Sequence, residues 1–233
     1  MTINVRPGNE RGHANHGWLD SYHTFSFAHY HDPAHMGYRT LRVINDDIIQ
    51  PQSGFDTHGH RDMEIVTYVV SGMLTHQDST GGKGTLQRGD VQSMSAGTGI
   101  RHSEWNASET EACRLLQIWI LPERPDLPRS YQQRQFAEAE KRDQLRLIAA
   151  PGGLDGALPI QQDALIYASI LGAGKTVTHS PKPGRGTWVQ VVDGQISVNG
   201  QSLVAGDGAS IELAESIVIQ AKGDSDFLLF DLI

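Results

Sequence analysis

The chain has 233 residues, 38% of them hydrophobic and 20% charged, with a formal net charge of -8. That composition suits a globular protein rather than a disordered one, and the acidic balance argues against the cationic footprint of a nucleic-acid surface. Two counts stand out: 25 Gly, which point to many turns, and 11 His, which raise the question of a metal.

The opening MTINVRPGNE has no basic stretch leading into an apolar run, so no signal peptide is expected. His13, His16, His23, His29, His31 and His35 follow. His29-Tyr30-His31 runs into the turn-forming Asp32-Pro33, and the whole group reads as hydrogen-bonding or surface histidines. Phe25 and Phe27, with Met94 further on, are candidates for lining a pocket, although core packing explains each equally well. From residue 64 the apolar runs are strand-length and rich in β-branched or aromatic residues: EIVTYVV (64–70), ACRLLQIWI (112–120), ALIYASIL (164–171), TWVQVV (187–192) and DFLLFDLI (226–233). Turn signals separate them, among them Ser71-Gly72, Arg88-Gly89-Asp90, Asp193-Gly194 and Gly206-Asp207. Thr80-Gly81-Gly82-Lys83-Gly84 lies between strands and reads as a hairpin tip, not a phosphate loop. His76 reads as a satisfied structural histidine and Cys113 as a buried, inert thiol. LPERPDLPRS (121–130) is a proline-marked linker or crossover, and YQQRQFAEAEKRDQ (131–144) predicts the one helix. Asn199-Gly200, between ISV and QSLV, is a hairpin cue, since both residues tolerate positive φ. The chain is predicted all-β.

An order of elements recurs. EIVTYVVSG (64–72) leads to RGD (88–90) and RLLQIWI (114–120); GTWVQVVDG (186–194) leads to AGD (205–207) and FLLFDLI (227–233). Two similar β-units in tandem are therefore expected, residues 1–130 and 131–233.

The chemistry concentrates in GFDTHGHRDMEIVTYVVSG (54–72) and GTGIRHSEWN (97–106). His58 and His60, and again His102 and Glu104, are two residues apart and project from one face of a strand. If the two strands are neighbours, roughly 4.8 Å apart, all four side chains can converge on one ion. Three imidazoles and a carboxylate favour a divalent transition metal over calcium or magnesium. No G-x-S-x-G elbow or Walker-type loop is present.

These blocks resemble the two cupin motifs, the second ending in His102 and Asn106. RGHANHGWLDSYHTFSFAHYHDP (11–33), LRVINDD (41–47), HGHRDMEIVTYV (58–69) and MSAGTGIRHSE (94–104) are similar to segments of the pirin branch of that superfamily. The resemblance implies two jelly-roll β-barrels with a metal in the first only, held by His58, His60, His102 and Glu104. In many cupins the carboxylate ligand stands at Glu64; spacing and the pirin pattern favour Glu104, which leaves Glu64 as an outer partner or an exposed strand residue. Matching Gly194 to Gly72 puts Ser180 and Lys182 where His58 and His60 would fall, so the second barrel reads as structural. The resemblance further implies a quercetin 2,3-dioxygenase, with a flavonol-like small molecule and dioxygen as substrates and release of carbon monoxide. Glu104 would be the proton acceptor and one divalent ion the cofactor, with Fe(II) favoured and Ni, Mn, Zn or Cu compatible. The competing role is regulatory, binding a transcription factor or metabolic enzyme according to the state of the metal. Either role is expected in the cytoplasm, without membrane or direct nucleic-acid contact, in keeping with a single cysteine.

Overall fold

The computed structural model describes residues 1–233. The first half forms β1 (Thr2–Arg6), β2 (Gly12–Asn15), β3 (Leu19–His23), β4 (Leu41–Ile49), β5 (Ser53–His60), β6 (Glu64–Ser71), β7 (Met73–Asp78), β8 (Lys83–Gln87), β9 (Asp90–Ser95), β10 (Ile100–Asn106), β11 (Cys113–Ile120) and β12 (Ser130–Gln135). A four-residue helix, α1 (Glu138–Lys141), follows. The second half forms β13 (Arg146–Pro151), β14 (Leu158–Ile160), β15 (Ala164–Leu171), β16 (Thr176–His179), β17 (Gly186–Asp193), β18 (Gln195–Val198), β19 (Gln201–Val204), β20 (Gly208–Glu212), β21 (Ile217–Ala221) and β22 (Ser225–Leu232).

These strands make two jelly-roll barrels, each a seven-stranded sheet facing a four-stranded one. The first pairs β12-β9-β6-β11-β4-β3-β2 with β5-β10-β7-β8, and the second pairs β1-β20-β17-β22-β15-β13-β14 with β16-β21-β18-β19. β1 thus lies on the edge of the second barrel, against β20, while β12 lies on the edge of the first, against β9. At the Asn199-Gly200 turn both residues have positive φ, 46° and 90°, as the hairpin cue required.

The central strands of the large sheets read as unbroken apolar runs because both of their faces are buried. Along β6, Ile65 and Val69 face the interior of the first barrel, whereas Val66 and Tyr68 face the second. Along β22, Phe227 and Leu229 fill the second barrel, whereas Leu228, Phe230 and Leu232 turn toward the first. The cluster between the barrels holds 22 buried residues, more than either interior, so the two barrels share their largest core. Truncating Phe230 to Ala should therefore cost about 3–5 kcal/mol. Denaturation followed by tryptophan fluorescence should still show one transition with a lowered midpoint. Two separate transitions, only one of them moved, would contradict a shared core.

The helix expected over 131–144 is mostly not one. Ser130–Gln135 is a strand, and only Glu138–Lys141 is helical. The segment carries no apolar stripe at helical spacing, so pairing with the open edge of β9 outweighs the helix propensity of its Gln and Arg residues.

The match of Ser180 and Lys182 to the ligand histidines is also corrected by register. His60 pairs with Ile100 and His58 with His102, while His179 pairs with Ile217 and Val177 with Ile219. Val177 and His179 are thus the second-barrel counterparts of His58 and His60. The connection from β16 to β17 is longer than that from β5 to β6, so counting back from the glycine stops short of the true positions. His179 there bonds Asp231 at 2.9 Å, and Val177 and Ile219 are core.

Candidate metal centre and cavity

β5 and β10 are antiparallel neighbours, and their register sets His102 directly opposite His58. One extra residue of β5 is accommodated between His102 and Glu104, which places Phe55 opposite Glu104 and bends the strand. The His58, His60 and His102 rings lie 4.4–4.8 Å apart, centroid to centroid. The Nε2 atoms of His58 and His102 are 3.0 Å apart. Two nitrogens on adjacent corners of one ion at 2.0–2.1 Å would stand about 3 Å apart, so this donor set fits a single transition metal. His58 Nδ1 sits 2.7 Å from the Asp56 carbonyl oxygen, to which it donates, and its Nε2 lone pair is left free. His60 stands edge-on to Trp119, ring centroids 5.0 Å apart. Burial, then the neighbouring imidazoles, hold His60 at a pKa of about 4 and His102 at about 2. At neutral pH these rings are uncharged and can accept a cation.

Glu104 stands beside His102, its carboxylate grouped with His102 and His76 within 4.8 Å and not with all three of the other predicted ligands at that distance. It is fully buried, and a ring of amides and a hydroxyl fixes it. Gln92 Nε2 donates to Oε1 at 2.6 Å, and Gln117 Nε2 donates to Oε2 at 2.8 Å. Thr67 closes the ring, donating to Gln117 Oε1 and accepting from Gln92. Burial raises the Glu104 pKa to about 7 against the opposing effect of these donors. A carboxyl group in that range exchanges protons readily near neutrality. Glu64 is neither exposed nor beside the imidazoles. Its Oε2 accepts from Ser95 Oγ at 2.6 Å and from the Gln161 backbone N–H of the second half at 3.0 Å.

His58, His60 and Glu104 open onto a cavity of about 630 Å³, within the range of small-molecule sites. Trp18, Phe27, Phe55 and Trp119 give it flat aromatic walls. On another wall Ser21 bridges His23 and Asp47, and burial lifts the Asp47 pKa to about 7. Of the expected pocket candidates, only Phe27 lines this cavity. Phe25 packs against Trp188 in the core between the barrels, and Met94 packs with Ile65, Ala96 and Ile100. Of the N-terminal histidines, His13, His16 and His29 are exposed and His23 is buried and bonded to Ser21, and all four also line the cavity. Strands β2 and β3 and the loop after them supply much of its lining, a placement that depends on pairing of β3 with β4 rather than on local pattern. Cys113 is buried, and burial pushes its thiol up to about 12.

The strand Gln residues that hold Glu104 escape a motif-based reading. The available signal was a lone polar Gln117 inside the apolar run RLLQIWI, at a position that faces inward.

Comparison with known proteins agrees with this architecture. The family model described as Pirin matches residues 4–120, and one described as Quercetinase C-terminal cupin domain matches residues 147–232. A quercetin 2,3-dioxygenase of Escherichia coli (strain K12) is 49% identical over 230 residues, covering 99% of this chain and 98% of its own. A pirin-like protein of Caulobacter vibrioides is 43% identical, covering 98% of this chain and 99% of its own. Among solved structures, the bacterial pirin YhhW of Escherichia coli in complex with nickel(II) superposes with a TM-score of 0.94 at 48% identity, covering 99% of each chain. With two jelly-roll barrels, a histidine cluster in the first of them and full-length relatives of this kind, the chain belongs to the pirin family.

Proposed function

We propose that the protein is a metal-dependent dioxygenase that cleaves the heterocyclic ring of quercetin-like flavonols and releases carbon monoxide. The observation that carries this reading is a cluster of three imidazoles, His58, His60 and His102, beside an aromatic-walled cavity that the buried Glu104 carboxyl also lines. The quercetin 2,3-dioxygenase relatives support it at full length. We assign His58, His60 and His102 as ligands and Glu104 as the fourth. Fe(II) is the proposed ion; Mn, Zn and Cu also suit the donors, and the nickel(II) complex of the Escherichia coli relative makes Ni(II) the first to test beside it. When bound, a divalent transition metal supplies Lewis acidity toward a substrate hydroxyl and a common site for substrate and dioxygen.

The chain's own residues do the rest. Trp119, Phe27 and Phe55 offer flat surfaces to a planar polyphenol, and their bulk excludes water. Glu104, held at the cavity wall by Gln92 and Gln117, accepts the proton of the substrate hydroxyl. A cytoplasmic location is part of this proposal, and the single, buried cysteine suits it. No helix is long and apolar enough to cross a membrane.

The test is anaerobic loading with Fe(II) or Ni(II), followed by oxygen-uptake and carbon monoxide assays on quercetin. Turnover with at least one ion is expected, and Glu104→Gln should lower it about 10²–10⁴-fold. A fully loaded protein without turnover would overturn the reading. It would point instead to metal-dependent binding of a transcription factor or metabolic enzyme, a role that predicts loss of partner capture in a His58/His60 double variant.

A further inference from the structure

Behind His102, on the side away from the other two imidazoles, lies a buried pair that the proposed chemistry does not use. β7 pairs with β10 so that His76 stands opposite Glu104 and Asp78 opposite His102. The side chains of His76 and Asp78 are completely buried. His76 Nε2 is 3.0 Å from Asp78 Oδ2, and His76 Nδ1 is 3.5 Å from His102 Nδ1. We propose that Asp78 and His76 form a positioning relay that locks His102 in the Nδ1–H tautomer, so that its Nε2 lone pair always faces the ion.

The tautomers follow from donor accounting. Asp78 Oδ1 already accepts from the Thr80 backbone N–H at 2.7 Å, the Thr80 hydroxyl at 2.6 Å and the Gly82 N–H at 3.1 Å. A carboxylate so placed can only accept at Oδ2, so His76 Nε2 carries the proton. His76 Nδ1 is then an acceptor, and the hydrogen facing it belongs to His102 Nδ1. That leaves His102 Nε2 unprotonated, 3.0 Å from His58 Nε2. Tyr131 of β12 stacks on His76, rings 4.2 Å apart and 11° from parallel, and keeps it from turning. Such outer partners orient ligand histidines in metal proteins generally.

The second barrel supplies an internal control. There Val198 and Ile196 occupy the places of Asp78 and His76 in the corresponding register, next to Ile219 in place of His102. All three are buried in the apolar core. Where the ligand is gone, the polar pair behind it is gone too, as expected if the pair serves the ligand and not the barrel.

The inference rests on reading the imidazoles as a metal site, and Asp78→Asn tests it without touching a ligand. The Thr80 and Gly82 donors hold the amide oxygen in place, which turns Nδ2 toward His76 Nε2. Every hydrogen in the relay then reverses, leaving His102 protonated on Nε2. Long-range ¹H–¹⁵N spectra of the metal-free protein should show His102 as the Nδ1–H tautomer in the parent chain and as Nε2–H in the variant. Ni(II) affinity should fall about 10–100-fold. His76→Phe, which keeps the stack on Tyr131, should give a mixed tautomer and a loss of the same order, and it serves if the first variant does not fold. Unchanged His102 tautomer and unchanged Ni(II) affinity in a folded variant would overturn the relay. A parent chain that binds no Ni(II) would instead overturn the metal reading, while the spectra would still decide the tautomer.

Discussion

A His102→Leu variant is expected to lose metal binding by at least about a hundredfold and to show no detectable flavonol turnover. Of the three clustered imidazoles only His102 is fully buried, and it touches both of the others. A transition-metal site of four protein ligands is worth on the order of 10–16 kcal/mol, so one ligand carries roughly 3 kcal/mol or more. The loss should exceed that of His58→Leu, because His102→Leu also strips His76 of its partner in a dry environment. Leu matches the volume and suits the surroundings, as Ile219 does at the same register position in the second barrel. The variant should therefore fold. Titration with Ni(II) and a thermal melt of the metal-free protein separate the two effects: affinity collapses while the metal-free melting temperature moves by only a few degrees. A His102→Leu chain that binds Ni(II) as tightly as its parent would exclude this residue as a ligand.

The second large effect lies between the barrels. Lys141 of α1 is 2% exposed and donates from Nζ to the Tyr68 hydroxyl at 3.2 Å; that hydroxyl lies 3.1 Å from Asp226 of β22. Three segments distant in sequence meet there around the buried Tyr68 hydroxyl and Lys141, with Arg88 and Asp193 nearby. Lys141→Met keeps the stem but removes the cation that the carboxylate feels through the Tyr68 hydroxyl, which should cost about 1.5–3 kcal/mol at pH 8. The penalty should shrink on acidification. Burial, only partly opposed by Lys141, raises the Asp226 pKa from 3.8 to about 6. The folded chain thus takes up this proton more readily than the unfolded one. The associated stabilisation is full below the ordinary pKa of 3.8 and is lost as pH rises through 6. Without Lys141 the folded pKa climbs further, so the variant should approach its parent in stability near pH 5 and diverge above pH 7. Urea denaturation at both values checks this, and a pH-independent difference would assign the loss to packing alone.

Much of the candidate site was legible because its chemistry lies in two pairs spaced by two residues. That spacing fixes a shared face wherever the strands run, and the pairing of His58 with His102 supplied the rest. The residues around it were not legible for the opposite reason. Gln92 comes from β9, Gln117 from β11 and His76 from β7, and only cross-strand register brings them to Glu104 and His102. The His29-Tyr30-His31 tripeptide shows the limits of pattern in the other direction. It has ligand-like spacing, but the bridge between Phe27 and Tyr30 closes a tight loop there, and its histidines join no metal-type cluster. Residues 130–135 misled because a polar edge strand and a polar helix have similar compositions; what selects the strand is the unpaired edge of β9.

The seat of β1 on the second barrel has a consequence for how the chain acquires its structure. β1 (Thr2–Arg6) leaves the ribosome well before its pairing partner β20 (Gly208–Glu212), with both halves' other strands made in between except β21 and β22. At 5–20 residues per second it waits roughly 10–40 s without a partner, while the strands of the first barrel emerge and find one another. Closing so long a loop is slow and gains nothing until β20 arrives. Docking of residues 2–6 is thus expected to follow assembly of the first barrel, a buckle fastened once its histidine cluster is already in place.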